Sequence, residues 1–308
     1  MSLNSNDLKQ LEETAVSLAW SAGEILLTYF KQPLQVEYKG NITGDDPVTE
    51  ADRQAEEHLT KKISQMFPEH GIVGEEGAGI GSISTKFTWV IDPLDGTTNF
   101  YNGLPLFACS IALLEDGVPV VGAIFIPWPS PANGRVVHAH KGGGTWDQRG
   151  KLAVSTENIP IPGRVAIAPN FIFGPFQAGK PLRMQPGDRR SVGSIAFELA
   201  LVADGTYQFA VFPSPKSWDV AAGMLLVKEA GGVTLSLEPN SDRWTEFHRF
   251  SNIEEPGPPG QVTLREWKSS ILVGNPKIAS FVSSNLKRRK KRPPLFWEQL
   301  KSFLKAKK

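Results

Sequence analysis

The chain has 308 residues, enough for two halves that each bury a core, and its hydrophobic and charged fractions of 40% and 21% are those of an ordinary globular protein. This composition excludes the disordered and fibrous classes. The formal charge of +1 gives no overall attraction to nucleic acid or to an acidic membrane surface, so a charged site has to be local.

The one cysteine, Cys109, lies in the apolar segment LFACSIALL, so no disulfide can form within the chain. We interpret it as a core residue, because no histidine at a suitable spacing suggests a catalytic thiol. The N-terminus is polar, so no signal sequence is predicted there, and because no run of about 18 apolar residues occurs, no membrane span is predicted. A cytoplasmic location is therefore expected.

The first half of the sequence alternates helix and strand patterns. Apolar residues recur at helical spacing from Leu8 to Tyr29, and a second helix is predicted from about Thr49 to Met66. The segments LFACSIALL and VPVVGAIFI flank residues 115–117, Glu-Asp-Gly, which is typical of an antiparallel hairpin. RVVHAH predicts a further strand, and KGGGTWD predicts a turn after it. This half is expected to be α+β.

The second half alternates more regularly and is predicted to be α/β. RVAIA, YQFAVF and SSILVG have the composition of strands, and SIAFELALVADG and WDVAAGMLLVKEAGG that of helices. We therefore divide the chain into an α+β domain of residues 1–155, an α/β domain of residues 156–286 and a basic, amphipathic tail of residues 287–308. The tail is expected to pack on the body, with membrane or partner docking as the alternative.

Two histidines, His138 and His140, alternate in the predicted strand RVVHAH and so point to one face. No cysteine or acidic residue stands near them at the spacing of a zinc site. A strand surface is therefore the preferred interpretation.

The segment WVIDPLDGTTNF places Asp92 and Asp95 three residues apart, directly after an apolar run. Pro93 cannot continue a central strand, so we predict that the two aspartates lie at a strand's end. Carboxylates crowded on a rigid turn repel one another unless a cation lies between them, and this segment contains no lysine or arginine. The pattern indicates a divalent cation.

Further acidic motifs support this interpretation. They are TGDDPVTEAD, which includes Asp52, GEEG, which begins its acidic pair with Glu75, and SWDVAAG, which includes Asp219. Each has a structural alternative, since Asp52 stands at capping-box spacing from Thr49 and Asp219 stands at the start of a predicted helix. Together they favour Mg²⁺, which prefers oxygen ligands and retains waters and substrate phosphate.

DPLDGTTNF resembles the first signature of the inositol monophosphatase family, and WDVAAGMLLVKEAGG resembles its second. DPVTEAD and GEEG stand upstream at the expected places, so the resemblance covers roughly residues 8–281. It implies a layered αβαβα sandwich of the sugar-phosphatase type that binds two or three Mg²⁺ ions. The metal ligands that it implies are the carboxylates of Glu75, Asp92, Asp95 and Asp219 and the main-chain carbonyl of Leu94.

The same resemblance assigns the remaining site residues. The backbone N–H groups of Gly96 and Thr97 would hold the substrate phosphate, and Gly96 has no side chain to obstruct it. The Thr97 hydroxyl, bonded to Asp52, would orient and activate the attacking water together with Glu75. The alcohol part of the substrate would lie beside Gly193, Ser194 and Ile195. Two aromatic residues of the signatures, Phe100 and Trp218, are expected to pack beneath the site.

The implied activity is Mg²⁺-dependent hydrolysis of a small phosphorylated polyol, sugar or nucleotide by a homodimer that lithium inhibits. We place inositol monophosphate first, with 3′(2′),5′-bisphosphate nucleotides and fructose 1,6-bisphosphate as alternatives. In inositol-type members a glutamate precedes the Trp-Asp pair, whereas here the stretch before it contains Lys216 and no acid. This difference weakens the case for inositol. The non-enzyme alternative is a catalytically silent binding protein on the same fold.

Overall fold

The computed structural model describes residues 3–33, 36–38, 47–77, 79–80, 86–128, 134–169, 174–250 and 263–289. Its helices are α1 (Ser5–Tyr29), α2 (Glu50–Met66), α3 (Thr97–Tyr101), α4 (Lys180–Met184), α5 (Ile195–Ala203), α6 (Ser217–Glu229) and α7 (Pro276–Ser284). In the described part of the chain, no helix has the length and apolar character that a membrane span requires.

The strands of the first half are β1 (Val36–Tyr38), β2 (Pro47–Thr49), β3 (Gly71–Gly74), β4 (Gly79–Ile80), β5 (Phe87–Asp95), β6 (Ala108–Glu115), β7 (Val118–Ile126), β8 (Arg135–His140), β9 (Gly144–Asp147) and β10 (Gly150–Leu152). The later strands are β11 (Val165–Ile167), β12 (Phe176–Ala178), β13 (Asp188–Arg190), β14 (Phe209–Phe212), β15 (Val233–Leu237), β16 (Trp244–Glu246), β17 (Ile271–Gly274) and β18 (Leu286–Arg288).

Two large sheets organise the described residues. The first has the strand order β10-β9-β8-β7-β6-β5-β3-β4, and the second has the order β13-β11-β14-β17-β15-β16. The first sheet is antiparallel except where β3 runs parallel to β5, and the second is parallel between β13, β11 and β14. Two short ribbons, β1-β2 and β12-β18, stand apart from them.

Strand alternation divides the core into layers. On β5, Trp89 and Ile91 pack toward α1 and α2, whereas Val90 packs toward α5 and α6 on the opposite face. On β14, Ala210 joins the α5 and α6 side, and Phe209 packs toward α4 and α7. Because successive strand residues face opposite sides, each sheet is covered on both faces. The order of layers is helix, sheet, helix, sheet, helix, which confirms the predicted αβαβα sandwich.

Helix α6 is the centre of this sandwich, between the two sheets. It is apolar around its whole circumference, as expected for a helix without a solvent face, and most of its residues are buried. Where it meets α5, a Cβ built on Gly223 would lie 2.4 Å from the Cβ of Leu199, so only glycine permits this helix spacing. The N-terminus of this rigid element carries Asp219.

The predicted local features of the first half are confirmed. Helix α1 begins three residues before Leu8, because Asn4 and Asp7 form a capping box at its N-terminus. The hairpin between β6 and β7 turns at Asp116 and Gly117, which both have positive φ, as a two-residue turn of this kind requires. Cys109 is buried in the core, and burial raises the pKa of its thiol to about 12.

The predicted strand surface at His138 and His140 is wrong. Both imidazoles direct Nδ1 to the two carboxylate oxygens of Glu12, at 2.7 and 2.5 Å. Glu12 lies on α1, 126 and 128 residues away, so local spacing contained no sign of it. Burial raises the pKa of Glu12, but the two histidines outweigh burial and hold it below the ordinary value. This contact attaches α1 to β8.

A buried ion network links the first sheet to α5. Arg135 on β8 donates to Asp147 at 2.5 Å and to Asp204 at 2.6 Å, and all three side chains are almost completely buried. Arg149 approaches the same two carboxylates from a half-exposed position. Since Asp204 is the C-cap of α5, the network ties that helix to the sheet beside it. The division at residue 155 stays a prediction.

Candidate active site

The motif that contains Asp92 and Asp95 lies at the C-terminal end of β5. Between Asp92 and Asp95 the pairing with β6 shifts, so that four residues of β5 oppose three of β6. The Leu94 N–H turns back to Asp92 Oδ1 at 3.1 Å. Both aspartates therefore emerge from one irregular turn with fixed side-chain directions.

The prediction that Asp92 and Asp95 lie at a strand's end is confirmed, because β5 ends at Asp95, but Pro93 does not interrupt the strand. The neighbouring strand β3 pairs with β5 only as far as Ile91. Beyond that residue one side of β5 has no ladder partner within the described residues, and a proline without an N–H is tolerated there. Pro93 thus stiffens an unpaired strand end.

The predicted acidic side chains lie together. Burial, then the negative charges of Glu75, Asp95 and Asp219, raises the pKa of Asp92 well above its ordinary value. Burial also raises the pKa of Asp219, with further contributions from Asp95 and Glu75. Carboxylates that influence one another in this way share one electrostatic environment. We refer to Glu75, Asp92, Asp95 and Asp219 as the acid cluster.

Hydrogen bonds from backbone N–H groups fix the segments that carry Glu75 and Asp219. Glu75 follows β3, and its turn is fixed by the Glu76 N–H, which donates to Glu56 Oε2 on α2 at 2.8 Å. Asp219 lies in the first turn of α6, where its Oδ2 accepts the Lys216 N–H at 2.7 Å. The capping interpretation of Asp219 is confirmed, and it is compatible with the acid cluster because only one oxygen is used.

The second half of the chain orients Asp95. Its Oδ2 accepts the Ser194 hydroxyl at 2.9 Å and the Ala196 N–H, from residues about a hundred positions later. Burial raises the pKa of Asp95 to about 7, although these two donors lower it. No local spacing in the sequence signalled this contact. The loop before α5 thus holds one oxygen of Asp95 and leaves the other directed elsewhere.

Two residues that the sequence analysis missed hold this loop. Asn99 on α3 donates both amide hydrogens, to Leu106 O at 2.7 Å and to Val192 O at 2.8 Å. Glu198, which is 3% exposed, accepts the Val192 N–H at 2.6 Å. Burial raises the pKa of Glu198 to about 7. The only sequence signal for either was an acid within an otherwise apolar helix and an asparagine inside the first signature.

Gly96 has a role other than the predicted one. Its φ of +91° favours glycine, and a Cβ built on it would lie 2.9 Å from Ser194 Cβ and 3.0 Å from Leu106 O. The absent side chain therefore makes room for the loop that orients Asp95, rather than for an approaching phosphate. The backbone N–H of Gly96 as a phosphate contact stays a prediction.

Thr97 and Asp52 meet as predicted. The Thr97 hydroxyl lies 3.1 Å from Asp52 Oδ1 and 3.1 Å from Leu94 O. Asp52 Oδ2 accepts the backbone N–H and the hydroxyl of Thr49, at 2.8 and 2.5 Å. Burial raises the pKa of Asp52 to about 6, against the effect of these hydrogen bonds. Asp52 therefore caps α2 with one oxygen and contacts Thr97 with the other.

Other predicted residues take structural positions. In the acidic motif TGDDPVTEAD, Glu50 Oε1 accepts the Gln54 amide on an exposed face of α2, and Asp45 and Asp46 lie outside the described residues. Phe100 and Trp218 are buried, at 1% and 8% exposure, as predicted. Among the residues that the structure describes, no three histidine, cysteine, aspartate or glutamate side chains are arranged closely enough to hold a metal ion as they stand.

Comparison with known protein families assigns the chain to one of them. A model of the inositol monophosphatase family matches residues 7–257. The chain belongs to the inositol monophosphatase family. This match includes the motifs of the acid cluster, and the family and the named relatives indicate a phosphatase.

Relatives in this family are similar over most of the chain. A fructose-1,6-bisphosphatase/inositol-1-monophosphatase of Aquifex aeolicus is 33% identical over 241 residues, 76% of this chain and 88% of that protein. The Nus factor SuhB of Xylella fastidiosa is 36% identical over 228 residues, 70% of this chain and 78% of that protein. Relatives in this family are thus named both as phosphatases and as a Nus factor.

Solved structures in the family have the same fold. The extragenic suppressor protein SuhB of Bartonella henselae superposes with a TM-score of 0.68 at 27% identity, covering 89% of this chain and 97% of that one. An IMPase of Thermotoga maritima gives a TM-score of 0.67 at 26% identity, covering 88% and 94%. The αβαβα architecture is thus the family's own.

Proposed function

We propose that this chain is a Mg²⁺-dependent phosphomonoesterase that hydrolyses a small phosphorylated polyol, with inositol monophosphate (EC 3.1.3.25) as its first candidate substrate. The observation that carries the proposal is the acid cluster, which joins carboxylates from β3, β5 and α6 beside the Thr97 and Asp52 pair. Family membership supports the reaction class.

The donor set fits a hard divalent cation. All four cluster side chains offer oxygen, and the Asp95 and Asp219 carboxylates each have one oxygen held by protein donors and one left over. Their like charges hold the oxygens apart, so an open site completed by water and substrate suits them better than a closed protein cage. Two or three Mg²⁺ ions would be held by the acid cluster and the Leu94 carbonyl.

When bound, Mg²⁺ supplies positive charge that lowers the pKa of water and offsets charge on the phosphoryl oxygens. The protein's part is to hold the reactants. Thr97 has one hydroxyl hydrogen, which it donates to Asp52 or to Leu94, and its oxygen can then accept a hydrogen bond from a water. Together with Glu75, this contact would orient the water for in-line attack on phosphorus.

The substrate's two ends are assigned to different segments. Backbone N–H groups of Gly96 and Thr97 hold the phosphate, and the loop of Gly193, Ser194 and Ile195 lies on the alcohol side. Ser194 is fully buried and its hydroxyl is bonded to Asp95, so its contact with the substrate is indirect. Homodimer formation, inhibition by Li⁺ and a cytoplasmic location complete the proposal.

The first test is phosphate release from a panel of phosphomonoesters during a Mg²⁺ titration, with EDTA as the metal-free control. We expect Mg²⁺-dependent turnover of inositol monophosphate, which Li⁺ lowers. Asp95→Asn should abolish turnover and keep the thermal unfolding midpoint, since shape and the two donor contacts are nearly retained. Exposed Glu50→Gln is the matched control and should retain activity. No turnover of any ester, with Mg²⁺ bound, would favour the silent binding protein.

A second candidate function is hydrolysis of a bisphosphorylated sugar or nucleotide. Lys216 favours it, because a half-buried cation stands beside Asp219 where inositol-type members have a glutamate. The same panel separates the two, since inositol monophosphate, fructose 1,6-bisphosphate and 3′-phosphoadenosine 5′-phosphate differ in their alcohol parts.

A further inference from the structure

Two cationic side chains lie against one aromatic ring at the edge of the acid cluster. The Lys216 ammonium is 5.6 Å from the centroid of the Trp218 ring, and the Arg265 guanidinium carbon is 5.7 Å from it. Trp218 directly precedes Asp219 and is fixed in the core by its packing. The ring therefore places two positive charges beside a cluster ligand.

Both cationic residues form hydrogen bonds with the segments that carry acid-cluster residues. The Lys216 N–H donates to Asp219 Oδ2, and the lysine's charge acts on that carboxylate, against burial and its acidic neighbours. Arg265 donates from Nη2 to the carbonyl of Gly74, the residue before Glu75. Arg265 comes from a segment that no signature motif includes, so only the fold brings it here.

Lys216 is attracted to Asp219 at longer range, but the described part of the chain gives neither cation a close ion-pair partner. Within the described ranges, no carboxylate forms an ion pair with Lys216 or Arg265. Contact with an indole holds a cation in position but leaves most of its hydrogen-bond donors unused. Arg265 has five N–H donors and uses one of them on Gly74, so four remain for an anion, together with the three donors of Lys216.

The chemistry of these donors selects the class of ligand. Ammonium and guanidinium groups donate and do not accept, so they bind an acceptor-rich anion better than the hydroxyls of a neutral ring. We propose that Lys216 and Arg265 form a second anion subsite, which favours phosphomonoesters with a further phosphate or carboxylate on the alcohol part. This inference rests on the proposed phosphomonoesterase function and specifies the substrate class of the same site.

Matched substrates test the subsite. Fructose 6-phosphate and fructose 1,6-bisphosphate differ by one phosphate, and glycerol 3-phosphate and 3-phosphoglycerate differ by one carboxylate. For wild-type enzyme we expect a lower KM for the doubly anionic member of at least one pair. The pair that shows the preference identifies the second anion. Higher ionic strength should weaken that preference, because exposed charges are screened.

The variants are Lys216→Met and Arg265→Met, which keep a long side chain against Trp218 and remove the charge. Each should raise KM for the doubly anionic substrate about tenfold, the scale of one lost charge-assisted hydrogen bond. KM for the singly charged partner and kcat for both should change less than about twofold. Lys216→Arg keeps the charge and should restore the preference, which a purely structural role does not predict.

Two outcomes overturn the inference. One is an equal change in KM for both members of a pair together with a changed Mg²⁺ requirement, which would mean that the cations only balance the acid cluster. The other is unchanged KM in folded variants, judged by thermal unfolding. If wild-type enzyme hydrolyses none of the esters, the proposed function fails instead. Calorimetry with fructose 1,6-bisphosphate then decides the subsite, since binding lost in Lys216→Met supports it and equal binding refutes it.

Discussion

Asp52 offers the sharpest test of the active-site geometry, because its two oxygens have different partners. Oδ2 accepts two donors of Thr49, and Oδ1 accepts the Thr97 hydroxyl. In Asp52→Asn a single amide oxygen remains. If it keeps the two Thr49 donors, the amide NH₂ faces Thr97, whose hydroxyl proton must then turn to Leu94 O. The substitution preserves the cap and reverses one hydrogen bond.

The expected effects on stability and catalysis therefore differ in size. Because the asparagine side chain can still accept the N–H of the N-cap residue Thr49, the loss of unfolding free energy should be less than about 1 kcal/mol. A misdirected Thr97 hydroxyl should lower kcat on the order of 10²-fold, the scale of acid–base contributions, or about 2.7 kcal/mol of transition-state stabilisation. KM and Mg²⁺ affinity should change little, since the contact matters mainly in the transition state.

Steady-state phosphate release at about pH 8, where a carboxyl with a pKa of about 6 is ionised, measures kcat and KM, and urea unfolding measures stability. Thr97→Ala should reproduce the loss in kcat, and Thr97→Ser should retain much of the rate because it keeps the hydroxyl. Thr49→Ala is the matched control: it removes a cap contact without touching Thr97, so it should cost stability rather than rate. Near-native kcat in Asp52→Asn with unchanged stability would refute the catalytic assignment of Asp52.

Three further predictions follow from the fold. Arg135→Met should cost about 3 kcal/mol or more in urea unfolding because it leaves two buried carboxylates without their main partner, whereas half-exposed Arg149→Met should cost about 1 kcal/mol or less; equal losses would contradict this reasoning. Gly96→Ala should lower kcat at least about tenfold and destabilise the fold, since a Cβ at positive φ displaces Ser194 from Asp95; wild-type kinetics would show that this close approach is unimportant. Glu12 has a folded pKa below its ordinary value of 4.5, so the stability that its ionisation contributes is lost as pH falls through the folded pKa; the stability difference between wild type and Glu12→Gln should therefore shrink below about pH 4, and a difference that grows there would reverse the sign.

Much of the fold could be predicted from the sequence, because its signals are local. Helical spacing identified α1 and α2, and the pair Asp116 and Gly117 identified a hairpin turn, since both depend on residues a few positions apart. The acidic motifs were also visible, and their resemblance to a known family gave the αβαβα order that periodicity does not contain. The sequence did not show that β5 passes through Pro93, because tolerance of that proline depends on where β3 stops pairing.

The sequence by itself identified the residues to which the proposed chemistry is assigned, whereas only the tertiary structure decided how they are held. Asp95 is oriented by Ser194 and Ala196, and Trp218 is flanked by Arg265 from a segment without a motif. Such partners are distant in the chain, and one-dimensional spacing contains no information about which loops a sandwich brings together. The acid cluster can be recognised in the sequence because each acid lies in a local motif. The residues that hold these acids in place come together only through packing between the two halves of the chain, which depends on the whole fold.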